Sequence, residues 1–129
     1  MKKKKTVSAR VVGGPGLGDA IILADTPISR MRGLLGTDEL REGEGCLLVP
    51  CSRIHCKGMA YPIDAVYLSA PGEDLVREVV AVETVAPGET GMKAKGAKAV
   101  LELPAGAAAA AGLSAGSKVS YERVEGSAA

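Results

Sequence analysis

Short apolar runs rich in β-branched residues alternate with glycine- and proline-containing turns along the whole chain. Runs of this kind, bounded by turn residues, are typical of short β-strands. We predict strands at 6–12, 19–24, 46–49, 63–69, 75–85, 98–103 and 118–124. The predicted fold is therefore mainly β, with a single domain over residues 6–124. It is a β-sandwich or partly open barrel of about seven or eight short strands with two short helices.

Both predicted helices have recognisable ends. In the first, Thr26 is a suitable N-cap, Pro27 fits the first helical position, and Gly36 fits the position just after the helix. Apolar residues recur within it at helical spacing, at Ile28, Met31, Leu34 and Leu35. The second helix, within 104–112, contains a run of alanines, the residue with the highest helix propensity.

Asp64 is the one charged residue in the strand at 63–69. Both faces of that strand are otherwise apolar, which predicts a central strand covered on both sides. A buried carboxylate is costly unless it is paired or hydrogen-bonded, so Asp64 needs a partner. The candidates are His55, Arg30, Arg53 and the backbone N–H groups of the turn at 58–59. Glu102 raises the same question in the strand at 98–103.

Two interpretations of these polar residues remain open. In the structural one, Asp64 holds the loop at 55–62 in place. In the functional one, a polar cluster at one end of the sheet lines a ligand pocket, and Met59 forms one wall. The cluster consists of Arg30, His55, Asp64 and Glu102.

Two other site chemistries are alternatives. The first is a zinc- or thiol-based site that uses Cys51, His55 and Cys56. Zinc ligands usually come in pairs about two to four residues apart on turns, whereas adjacent side chains of an extended segment point in opposite directions. We therefore expect no metal and no cofactor. The second alternative is a hydrolase, which needs the carboxyl groups of Asp64 and Glu102 within about 5–9 Å of each other.

Composition excludes some partners. The chain has no Phe and no Trp, so it lacks most of the aromatic faces on which single-stranded nucleic acid stacks. Its formal net charge is only +1, which gives no general attraction to nucleic acid or to a membrane surface. We expect neither as a partner, and the composition leaves the oligomeric state open.

The ends and the cysteines bear on location. A basic run, 2–5, opens the chain, but no apolar segment follows it as in a signal peptide. We expect 1–5 to be a flexible basic tail and 125–129 a flexible C-terminal tail. An odd number of cysteines without a secretion signal favours reduced thiols, and so we expect a cytoplasmic location.

Several short sequence motifs, in a fixed order along the chain, resemble those of a known family. They are Ala24-x-Thr26-x-x-x-Arg30-x-Arg32-Gly33-Leu34-Leu35-Gly36, Gly43-x-Gly45-x-Leu47-Leu48, His55-Cys56-Lys57-Gly58-Met59-Ala60-Tyr61-Pro62-Ile63-Asp64, Val66-Tyr67-Leu68, Ala99-Val100-Leu101-Glu102-Leu103-Pro104-Ala105-Gly106 and Gly112-Leu113-x-x-Gly116. Over residues 20–122 the chain resembles the prokaryotic domain-of-unknown-function family 192, in its His-x-x-Gly-Met branch. The resemblance implies a compact, mainly β domain and a family without an established biochemical activity.

The chain departs from the family pattern at two positions near these phrases. Thr37 stands where the family often has Arg, and Lys57 stands where it often has Phe. The second change replaces an apolar wall beside His55 with a cation, which favours a more polar or anionic ligand.

The hypothesis that the sequence favours is a non-catalytic module that binds a small polar or anionic ligand or a peptide end. Arg30 and His55 would hold the ligand, and Asp64 would orient the imidazole. The predicted ligand-binding residues are Arg30, His55, Met59, Asp64 and Glu102.

Overall fold

Seven β-strands form one closed barrel in the computed structural model, which describes residues 5–124. The strands are β1 (Thr6–Val11), β2 (Gly16–Ala24), β3 (Glu44–Leu48), β4 (Ile63–Leu68), β5 (Arg77–Val85), β6 (Ala99–Pro104) and β7 (Lys118–Arg123). They follow one another around the barrel in the order β1-β2-β3-β6-β4-β5-β7. Every neighbouring pair is antiparallel except β2 and β3, which are parallel.

The predicted mainly β fold with two short helices is confirmed, and the sheet closes completely. The helices are α1 (Pro27–Arg32) and α2 (Ala107–Ala110). Closure follows because β7 pairs with β5 on one side and with β1 on the other. A closed barrel leaves no strand edge open to another chain within residues 5–124.

Helix α1 lies in the crossover that joins the parallel strands β2 and β3. It begins as predicted, with the Thr26 side chain accepting the Ser29 N–H at 3.1 Å and the Ser29 hydroxyl accepting the Thr26 N–H at 2.9 Å. It ends earlier than predicted, because Gly33 adopts a φ of +46° and donates its N–H to the Ser29 carbonyl. Its apolar face is not packed on the barrel: Ile28 and Met31 are 71% and 77% exposed.

Two buried clusters lie on opposite faces of the sheet. One takes residues from all seven strands of the described chain and fills the barrel interior, with Leu101, Val66 and Leu47 among its members. The other lies on the outer face of β3, β6, β4 and β5, with Val100, Tyr67 and Leu48 among its members. Strand β4 is buried on both faces, as predicted for a central strand.

An outer layer of chain covers that second cluster. Residues 50–62 and 86–97 hydrogen-bond to each other, through Cys56 N–H to the Glu89 carbonyl at 2.7 Å and Gly91 N–H to the Ile54 carbonyl at 2.8 Å. Glu83 of β5 connects this layer to the sheet. Its carboxylate accepts one hydrogen bond from the Tyr67 hydroxyl and one from the Met92 N–H, both at 2.6 Å.

The expected tails fall almost entirely outside the described residues, which exclude 1–4 and 125–129. Lys5 is described: its carbonyl accepts the Leu23 N–H at 2.9 Å, and its ammonium lies 3.4 Å from the Asp25 carboxylate. Within residues 5–124, no helix is long and apolar enough to cross a membrane.

The close approach of β3 and β6 can be tested at Gly45, where an added Cβ would collide with the Glu102 carbonyl oxygen. We expect Gly45→Ala to lower the free energy of unfolding by about 1–3 kcal/mol, because a backbone atom cannot rotate away. Gly16→Ala is the matched control, since a Cβ there meets open space; we expect a change within about 0.5 kcal/mol. Urea denaturation measures both. A Gly45→Ala protein as stable as the wild type would contradict the strand spacing.

Candidate functional site

A cavity of about 180 Å³ lies between α1, the loop at 51–59 and the outer face of β3 and β6. Its polar lining consists of Arg30, Arg32, Cys51, Arg53, His55 and Glu102. Its apolar lining includes Met31, Leu34, Leu35, Leu48, Ile54 and Met59. The cavity therefore brings together four of the five predicted site residues, all except Asp64.

Helix α1 supplies the first cation of the cavity. The capped first turn fixes the helix, and Arg30 follows in its last turn. The Arg30 side chain is half-buried, and it makes no hydrogen bond or ion pair with any residue from 5 to 124. A guanidinium held at a cavity wall in this way is available to an anion from outside the protein.

The loop at 51–59 forms the opposite wall. Its backbone is held by a β-bridge between His55 and Thr90 and by the Arg53 Nε, which donates to the Gly91 carbonyl at 2.9 Å. The His55 side chain is exposed at the rim, and Met59 is half-buried. These bonds fix the loop on the outer layer without using the His55 imidazole.

Glu102 forms the floor of the cavity. It lies on the outer face of β6, directly opposite Cys46 of β3 and Ala65 of β4. The residue is only 6% exposed, and its carboxylate makes no hydrogen bond or ion pair with the described residues. Burial raises the pKa of Glu102 to about 7.

The remaining exposure of the Glu102 carboxylate is toward the cavity. Within residues 5–124, every fully enclosed polar side-chain atom has a hydrogen-bond partner. The Glu102 oxygens have none and are therefore not fully enclosed, and the cavity is the space that this residue lines.

The Cys51 thiol lines the cavity, and its pKa responds to charges of both signs. Burial raises the pKa of its thiol, a backbone hydrogen bond of Arg53 lowers it, and the charges of Glu102 and Arg30 raise and lower it respectively. Arg30 and Glu102 therefore both act on this thiol, in opposite directions.

Asp64 is placed elsewhere. Its carboxylate accepts the N–H groups of Gly106 and Ala108 at 3.0 Å each and the Thr84 hydroxyl at 2.7 Å. It therefore holds the start of α2 over the barrel. These bonds contradict both predicted roles, as the residue that orients His55 and as the one that holds the loop at 55–62.

The carboxylate pair proposed for a hydrolase is not formed. In the β4–β6 register, Asp64 is opposite Leu103 while Glu102 is opposite Ala65. Residues that are directly opposite share a face, and successive residues alternate between faces. Asp64 and Glu102 therefore point to opposite faces of the sheet.

The thiols do not form the alternative site. Cys46 and Cys56 are buried, Cys51 is half-buried, and none of the three forms a disulfide. Burial, with contributions from Glu102, Glu83 and Glu89, raises the pKa of Cys56 to about 11, whereas nucleophilic and metal-binding thiols need a lowered pKa. No group of three His, Cys, Asp or Glu residues between 5 and 124 is arranged to hold a metal ion.

The residues predicted from the sequence do not include several that line the cavity, chiefly Arg32, Leu48 and Ile54. Ile54 had a detectable signal, because it is an isolated large aliphatic residue in the polar segment 52–58. Such a residue indicates that the loop packs on the sheet. Arg32 had none, since a charged residue near the end of a short helix is ordinarily solvated.

A model of the family DUF192, described as "Uncharacterized ACR", matches residues 14–121. The chain belongs to the DUF192 family. The matched range contains every residue that lines the cavity. The resemblance inferred from the sequence is thereby confirmed. No curated protein matches this DUF192 chain.

Solved structures share the fold of this DUF192 protein. One, from Sinorhizobium meliloti 1021, is described as a candidate transcription regulator; it is 21% identical, with a TM-score of 0.68 over 93% of this chain and 95% of that one. Another, a protein of unknown function from Novosphingobium aromaticivorans DSM 12444, is 23% identical, with a TM-score of 0.65 over 89% of this chain and 83% of that one. Likeness at this level of identity establishes the fold alone.

The structural role of Asp64 predicts a loss of stability on substitution. Asp64→Ala removes three hydrogen bonds and leaves the Ala108 N–H buried without its acceptor. We expect a loss of about 1–3 kcal/mol in the free energy of unfolding. Asp25→Ala, which removes an exposed ion pair with Lys5, is the control and should cost less than about 1 kcal/mol. Chemical denaturation measures both, and equal losses would contradict the assigned role.

The burial of Glu102 predicts a pH-dependent stability. Its pKa rises from the ordinary 4.5 to about 7 on folding, so the folded state binds the proton more tightly. The contribution of Glu102 to the free energy of unfolding is thus fully present below about pH 4.5 and is lost as the pH rises through about 7. Because glutamine does not ionise, we expect the free energy of unfolding of Glu102→Gln, relative to the wild type, to increase by about 3 kcal/mol as the pH is raised through this range.

Urea denaturation of both proteins across that pH range measures the gain. The exposed Glu78→Gln is the matched control, because it removes a carboxylate that is not enclosed. If the curves of stability against pH for wild type and Glu102→Gln were parallel, the carboxylate would not be buried as the structure has it.

Proposed function

We propose that this DUF192 protein is a small-ligand-binding module whose ligand occupies the cavity at α1 and the 51–59 loop. Arg30 and His55 bind an anionic group of that ligand. The observation that carries the proposal is that Arg30, His55, Met59 and Glu102, from separate parts of the chain, line one cavity. An arginine held there without a protein anion is the main electrostatic support.

The size and lining of the cavity limit the ligand. A volume of about 180 Å³ is smaller than the roughly 300 Å³ at which pockets for drug-sized ligands begin. Leu34, Leu48 and Ile54 give it buried apolar walls. The ligand that fits this description is a small organic anion with a short aliphatic body.

Binding is favoured over catalysis because the reactive pairs considered for this chain are separated. The two carboxylates point to opposite faces of the sheet, and burial raises the pKa of the thiols Cys51 and Cys56. Neither arrangement suits nucleophilic or paired acid–base chemistry.

A peptide carboxyl terminus is the second candidate. Ile28, Met31 and Leu35 are exposed on and just after α1, and the last two also line the cavity. A peptide whose carboxylate enters the cavity would place its preceding residues on this apolar surface.

Titration of ¹⁵N-labelled protein with 4-methylpentanoate tests the proposal. We expect saturable amide shifts at residues 30–35 and 51–59, with N-acetyl-glycyl-leucine as the probe for a peptide end. Arg30→Gln should weaken binding about tenfold or more, which is about 1.4 kcal/mol. Arg10→Gln is the control, because Arg10 lies on β1 and contacts Gly14. Unsaturable shifts, or equal binding by the Arg30→Gln protein, would refute this site.

A further inference from the structure

We propose that Glu102 is the subsite for a protonated amino group, so that the ligand of the cavity is a free amino acid with an aliphatic side chain. This inference rests on the proposed function and deepens it, since it names the class of ligand. The proposed function assigns only the anionic group, at Arg30 and His55.

The first support is the environment of Glu102. It is only 6% exposed, it faces the cavity, and it has no hydrogen-bond partner among residues 5–124. Its neighbour on β4, Ala65, has only a methyl side chain and offers it no donor. Burying a carboxylate without a donor is costly, and a ligand ammonium would supply both charge and donors.

The second support is the separation of charges within one cavity. Arg30 and Glu102 both line it, yet they form no ion pair with each other or with any described residue. The cavity therefore presents the unpaired cation of Arg30, among other arginines, and the unpaired carboxylate of Glu102. A zwitterion satisfies both groups at once, whereas a simple anion leaves Glu102 without a partner.

The third support is the fit of the remaining surface. Leu34, Leu48 and Ile54 line the cavity as buried aliphatic side chains, and the cavity volume is about 180 Å³. Taking roughly 30 Å³ for each water, this space equals about six waters, which suits a molecule as small as leucine. A peptide carboxyl terminus fits less well, because the nitrogen next to its terminal carboxylate belongs to an amide and not to an ammonium group.

The electrostatics of Glu102 agree with this assignment. Burial raises the pKa of Glu102 to about 7, so the carboxylate is easily protonated when nothing pairs with it. An ammonium bound beside it favours the ionised form. A second carboxylate of the ligand would instead need Glu102 protonated, as a donor.

Three matched probes separate the two charged groups of the ligand: leucine, 4-methylpentanoate, which lacks the amine, and 3-methylbutylamine, which lacks the carboxylate. Each is titrated into the wild type, Glu102→Gln, Arg30→Gln and the control Glu78→Gln, and affinities are measured by calorimetry or amide shifts. We expect leucine to bind the wild type at least about tenfold more tightly than 4-methylpentanoate. In Glu102→Gln that advantage should fall below about twofold.

The outcomes are distinguishable. If 4-methylpentanoate binds in an Arg30-dependent way and leucine binds no better, the amino subsite is refuted and the proposed function stands. If 3-methylbutylamine alone binds, in a Glu102-dependent way, the amino subsite stands and the anion site at Arg30 fails. If none of the three binds, both are refuted. The comparison of leucine with 4-methylpentanoate in the wild type decides the inference even if the Glu102→Gln protein does not fold.

Discussion

The burial of β3, β4 and β6 on both faces is the constraint on which the rest of this structure depends. A closed barrel buries one face of each strand in its interior, and the outer face of an ordinary barrel strand is solvated. Here the outer face carries a second apolar cluster, which contains Tyr67 and Val100. Covering it requires the chain at 50–62 and 86–97 to fold back over the sheet and to satisfy its own backbone groups there. The cavity is the place where this outer layer and α1 leave a gap.

Two glutamates of the outer face, Glu102 and Glu83, lie in one cross-strand row. Along the row of the outer face that passes through Glu102, the cross-strand neighbours are Cys46 and Ala65, both small. Farther along the same row, Glu83 is tied to Tyr67 and to the backbone of Met92. Gly91 must remain glycine-sized there, because a Cβ would collide with the Tyr67 hydroxyl. Glu83 is thus hydrogen-bonded to the outer layer, whereas Glu102 faces the cavity.

The sequence predicted the fold well because its signals are local. Turn residues, β-branched runs and the cap at Thr26 act within a few residues, and the two apolar faces of 63–69 correctly indicated a doubly buried strand. It also identified Arg30, His55, Met59 and Glu102 as candidates, from their polar character or position. It failed on Asp64, because the partners of that residue are backbone N–H groups of Gly106 and Ala108, more than 40 positions away. Which of two buried carboxylates finds a partner depends on register and on which face is covered, and neither is a local property.

The contrast between Asp64 and Glu102 shows how such a register assigns roles. Asp64 and Glu102 lie on neighbouring strands and differ by one position in the β4–β6 register. Because successive residues of a strand alternate between faces, their side chains point to opposite faces of the sheet. The inward carboxylate meets the start of α2, where backbone donors are unpaired, and becomes structural. The outward carboxylate meets a cavity whose cations come from α1 and from the 51–59 loop, and those cations do not reach it. A protein that needed Glu102 only for stability would be better served by an apolar side chain at this position, because an unpaired buried carboxylate opposes folding at neutral pH. The energetic disadvantage of the residue is therefore itself an argument that the cavity receives a partner for it.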